Sequence, residues 1–181
     1  MREYRLDYPP PPITRKPLPM MIRVSRFGVA ATYDRQPMVY REDTYSTGAY
    51  PYDRWSTNPG NMVADLLARD LAASGLYRAV QQAPSVLPND FELIGEIEEI
   101  EERRTDSGCS AHLEERVLLL DTRPNTRDPV LLRTAYAEEE PCRCNNPRAL
   151  AEAMSAASER ISARLQKETY EAIAHSVAAT K

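Results

Sequence analysis

Cys109, His112, Cys142 and Cys144 are the residues of this chain whose types could together do chemistry. Three thiolates and an imidazole are the donor set of a structural zinc site, although a C-x-C pair with a C-x-x-H is unusual spacing for one. A second chemistry is oxidative. If segments 110–121 and 130–138 are antiparallel strands about a turn near residue 125, facing residue numbers add to about 251. Cys109 and Cys142 satisfy that sum and should oppose each other, close to disulfide range. A Cys109–Cys142 bridge is therefore expected, with Cys144 as the alternate partner. Unpaired thiols are the other outcome, and three cysteines leave at least one thiol unpaired within the chain.

Conventional catalytic signatures are missing. No Walker glycine loop, G-x-G-x-x-G, G-x-S-x-G or H-E-x-x-H pattern occurs. The histidines, His112 and His175, have no nucleophile or orienting group nearby in sequence. The expectation is a non-enzyme without catalytic residues, cofactor or metal.

Aromatic crowding is the other signal. Seven of ten tyrosines lie within the first 52 residues, and the single tryptophan, Trp55, follows at once. Tyr and Trp join apolar bodies to polar tips, which suits contact surfaces. "TYSTGAYPYDR" is too polar and glycine-containing to be all interior. Tyr40, Tyr45, Tyr50, Tyr52 and Trp55 are the candidate partner-binding residues. The competing reading has Trp55 plugging one end of the core and the tyrosines edging a sheet.

The elements that must position these residues follow from pattern. "MIRVSRFGVA" (21–30) alternates and then shifts phase, as a bulged strand does. "PMVYRED" (37–43) is a second strand. Asn58–Pro59 is a cap followed by a first-turn proline, and Val63, Leu66, Leu67 and Leu71 recur at helical spacing until Gly75. Residues 76–82 alternate again. Strands are expected near 91–104, 110–121 and 130–138, forming an antiparallel meander, with a bulge near Glu98–Glu99. The carboxylates between Ile and Leu in the first of these are expected on the wet face of the sheet. Asn146–Pro147 opens a long helix whose stripe runs from Leu150 to Ile173. Segregated strands and helices give an α+β fold: an antiparallel or mixed sheet with two main helices packed on one face. Residues 1–19, with six of fifteen prolines, are expected to be a tether or strand lead-in, and 20–181 a single domain.

Composition narrows function further. Apolar residues make up 42%, enough for a core, and the net charge of −4 from 23 basic and 27 acidic side chains argues against nucleic acid. No apolar run approaches the ~20 residues of a membrane span.

The order "YRLDYPPPP", then Asp34-Arg35, Val39-Tyr40-Arg41, Arg54-Trp55, then Leu66 to Leu71 and Gly75 resembles the ABC-type transport auxiliary lipoprotein family, whose PqiC-like members accompany MCE-domain lipid-transport systems. The resemblance runs from about residue 4 to the final helix. It implies a periplasmic domain anchored at the outer membrane by an N-terminal lipidated cysteine. No cysteine precedes Tyr4, so the resemblance implies a leader and lipid-bearing cysteine outside this sequence. It further implies a docking role, with an MCE-domain protein and ABC transporter complex as partners, and no catalytic residues to carry over. A homo-oligomer, or a more general envelope scaffold role, stays open. An oxidising periplasm would permit the disulfide.

Overall fold

The computed structural model describes residues 1–85 and 87–179. Its spine is a long hairpin of β7 (Phe91–Thr105) and β8 (Gly108–Asp121), paired antiparallel along their whole length. β9 (Val130–Cys142) adds to the far side of β8, completing the expected meander. The facing residues from Cys109↔Cys142 to Leu119↔Leu132 hold the register read from the sequence. The register of β7 shifts between Ile97 and Glu99, where the interrupted alternation places a bulge.

The other edge of β7 carries short strands in parallel, one after another. β2 (Leu18–Val24) pairs at Phe91–Leu93, β3 (Gly28–Val29) at Glu96–Ile97, and β4 (Pro37–Arg41) at Glu102–Arg103. β6 (Tyr77–Gln82) lies outside β2, β5 (Thr47–Trp55) outside β4, and β1 (Arg2–Tyr4) outside β5. The nine strands among the described residues thus form one mixed sheet. β5 occupies the polar, aromatic stretch to which the sequence pattern assigns no strand. Its Gly and Pro content hides strand character that pairing with β4 supplies.

α1 (Pro59–Ala73) and α2 (Pro147–Ala179) cover one face of this sheet. Asn58 caps α1 by accepting from the Gly60 N–H at 3.0 Å, and Asn146 caps α2 by accepting from the Ala149 N–H at 3.1 Å. Gly75 ends α1 with φ +64°, a conformation that favours glycine. Odd-numbered residues of β8, from Ala111 through Val117 and Leu119, meet the helix stripe of Leu150, Met154, Ile161 and Leu165.

The proline-rich start is not a free spacer. After β1, Leu6 and Tyr8 are buried, the Asp7 N–H donates to Ser155 Oγ at 3.0 Å, and Tyr170 donates to the Lys16 carbonyl at 2.8 Å. The segment crosses the helix layer as a strap. Beneath it, the buried Asp70 carboxylate accepts from Tyr8 (3.0 Å) and Ser162 (2.6 Å), and pairs with Arg69 at 2.7 Å. One charge therefore ties strap, α1 and α2 together. The buried Tyr8 and Leu6 side chains pack this segment onto the domain.

Candidate functional site

Three of the four candidate donors of the zinc reading gather at one end of the sheet, and His112 does not join them. Along β8, Cys109 points to the helix face and His112 to the opposite face, because successive strand residues alternate. Cys109 does oppose Cys142 in the ladder, but its disulfide is with Cys144, at a Cα–Cα distance of 5.1 Å. The expected Cys109–Cys142 bridge is corrected accordingly. β9 ends at Cys142, and the chain turns through Asn145 (φ +54°), bringing Cys144 over the end of β8. Cys142 stays free and half-buried; burial and the nearby Glu102 carboxylate push its thiol pKa up to about 11, so it is a protonated packing group. The bridge closes a 35-residue separation, and loop-closure entropy puts its worth at about 4 kcal/mol. Cys109→Ser is expected to lower the unfolding free energy in urea titrations by about that amount, and Cys142→Ser to leave it nearly unchanged. Equal losses in the two variants would contradict the pairing.

The aromatic hairpin of β4 and β5 stands beside this end. Tyr40 faces Gly48 across the ladder, and its ring lies where a Cβ on residue 48 would be, 2.3 Å away. A side chain at residue 48 would displace the Tyr40 ring from this packing. Tyr40 and Tyr50 meet edge to face at 5.4 Å. The Arg104 guanidinium stacks 3.7 Å over Tyr40. Arg104 also donates to Glu102 at 2.6 Å, and Tyr50 donates to the other Glu102 oxygen at 2.7 Å. Burial and Glu102 hold the Tyr50 hydroxyl well above the usual phenol range, so it stays a donor.

The five aromatic candidates thus divide. Tyr45, at the hairpin tip, is 97% exposed and Tyr52 is 69% exposed. Tyr40 and Tyr50 are half-buried and form the rim that supports them. Trp55 is 2% exposed and belongs to the core cluster, so it is removed from the contact surface. Alternation along β5 accounts for the difference: Asp53 and Trp55 turn inward, Tyr52 outward.

Sequence reasoning missed the charged residues that brace this end. The carboxylates of β7 were expected on the wet face, and Glu96 is exposed, but Glu101 and Glu102 are buried. Glu101 accepts from Tyr33 at 2.6 Å and pairs with Arg41 at 2.8 Å and Arg103 at 3.2 Å. Buried carboxylates persist where guanidinium and hydroxyl donors satisfy them. The density of Arg at 103–104, beside the acidic run, was the available signal.

Among the described residues, no helix is long and apolar enough to cross a membrane. Comparison with solved structures finds the same fold in protein XCC0632 from Xanthomonas campestris, with TM-score 0.85, 17% identity and complete coverage of both chains. The hypothetical protein CT253 from Chlamydia trachomatis is similar at TM-score 0.58 and 12% identity, over 84% of this chain and 98% of its own. No curated protein matches. The sequence profile of one family matches residues 4–166, spanning the strap, the aromatic hairpin, the sheet and most of α2, and on that match the chain belongs to the ABC-type transport auxiliary lipoprotein component family.

Proposed function

We propose that this domain is a non-catalytic, periplasmic docking subunit of an MCE-type lipid transport assembly, held at the outer membrane by a lipid anchor. Membership of an ABC-transport auxiliary lipoprotein family supports the accessory role. The observation that carries the docking reading is the placement of Tyr45 and Tyr52, two large aromatics left in solvent on a hairpin whose base is braced by Tyr40, Tyr50 and Arg104. Exposed tyrosine on a rigid support loses little conformational entropy on binding and contributes large contact area, which is the profile of an interface anchor. Energy for transport comes from the ATPase of the assembly, and this subunit contributes shape and adhesion.

The test is co-purification with a candidate MCE-domain partner. Tyr45→Ala and Tyr52→Ala together are expected to weaken that association at least tenfold, because two hot-spot aromatics contribute about 2 kcal/mol or more each. Their thermal midpoint should match the parent, since neither side chain is buried. Undiminished capture by the double variant would sink the assignment of this surface.

A further inference from the structure

On the sheet face opposite the helices, β7 and β8 bring Glu99, His112 and Glu114 together. Glu99 and Glu114 are directly facing partners in the ladder just past the bulge, and His112 lies two residues from Glu114 on the same face. One ligand atom from each lies within 4.8 Å of the other two. The His112 ring is 6% exposed, and neither ring nitrogen has a hydrogen-bond partner. A buried imidazole without a partner is uncommon, because desolvating it costs free energy that a bond normally returns. Its Nε2 is aimed between the two carboxylates, 3.5 Å from Glu99 and 3.7 Å from Glu114.

We propose that Glu99, His112 and Glu114 form a binding site for one divalent transition cation of the Zn²⁺ class. One imidazole and two carboxylates are a known donor set for such ions, whereas Ca²⁺ and Mg²⁺ favour shells made of oxygen alone. Drawing each ligand atom onto an ion about 2.1 Å away needs only side-chain adjustment from these separations. On its other side, Nδ1 of His112 has the Glu139 carboxylate 3.9 Å away, beyond hydrogen-bond distance. Ser110 in turn donates to Glu139 at 2.5 Å. Arg41 and Arg103 pair with Glu99 and fix its carboxylate, while their positive charge weakens the site relative to an isolated triad. The bulge that carries Glu99 into register with Glu114 is what assembles the site, and such bulges commonly re-aim a side chain for function.

The experiment titrates ZnCl₂ into the full chain carrying Cys142→Ser, which removes the free thiol as a competing ligand. One ion per chain should bind by calorimetry and raise the melting temperature. His112→Ala and Glu114→Gln should each weaken binding at least tenfold, with MgCl₂ and CaCl₂ giving no comparable stabilisation. Glu114 is partly exposed, so its variant keeps the fold and decides the matter even if His112→Ala does not fold. Absence of binding at about 100 µM Zn²⁺, or affinity within twofold of the parent in Glu114→Gln, would overturn the proposal.

Discussion

Glu115→Gln is expected to raise stability strongly at pH 8 and hardly at all at pH 5. Glu115 sits on the helix face of β8, opposite Tyr136, in a small cavity between Val63 and Leu67 of α1 and Leu165 of α2. Its Oε2 has no hydrogen-bond partner. The hydroxyls that share the cavity are committed elsewhere, Ser158 to the Met154 carbonyl and Ser162 to Asp70. Desolvation pushes the carboxyl pKa up to about 8, opposed only by the charge of Arg164. Below the ordinary value of 4.5 the group is protonated whether the chain is folded or not, and it costs nothing. As pH rises from 4.5 to about 8, only the unfolded chain releases the proton, so stability falls throughout that window. The accumulated penalty is on the order of 4 kcal/mol. Glutamine cannot ionise, so the variant should gain most of that at pH 8, a rise in melting temperature of about 10 °C for a chain of this size. Equal shifts at the two pH values, or destabilisation at pH 8, would show that the carboxylate is better solvated than its surroundings indicate.

The second large effect is at Trp55. Truncation to alanine removes a fully enclosed indole and leaves a cavity, costing about 3–5 kcal/mol. Trp55→Phe should recover part of that loss, since a smaller aromatic ring refills some of the space. The comparison matters for function because Trp55 is adjacent in sequence to the exposed tyrosines. A partner-binding defect in Trp55→Ala should be accompanied by a lowered denaturation midpoint, and one in the Tyr45 and Tyr52 double variant should not. A Trp55→Ala variant that kept the parental midpoint while losing partner would contradict the core role of the indole.

What the sequence disclosed depended on how local each constraint is. Helix α1 was readable because Asn58, Pro59 and Gly75 act within one turn of their own positions. The β8–β9 register was readable because one turn fixes every facing pair, and a break in apolar alternation revealed the bulge of β7. The parallel pairings of β1, β2, β3 and β4 were not readable, since residues far apart in sequence meet there without a shared turn. The disulfide partner turned on the path of the two residues after Cys142, which pairing arithmetic does not describe. In the candidate site, tyrosine enrichment pointed to the β4–β5 hairpin, yet side-chain direction along β5 decided that Tyr45 and Tyr52 face solvent and Trp55 does not. Glu101, Glu102 and Glu115 were hidden for a common reason: a carboxylate reads as solvated until the groups that enclose it are known.

The direction of β1 carries a practical consequence. It runs parallel to β5, so Met1 points toward the end of the molecule from which the tyrosine hairpin projects, while the last turns of α2 lie beside Asp121 at the opposite end of the long hairpin. A bead or sensor chip coupled directly ahead of residue 1 lies on the side of Tyr45, as the proposed lipid anchor does, and needs a long flexible linker if partner capture is to be read. The same support coupled beyond α2 would leave that hairpin facing free solution.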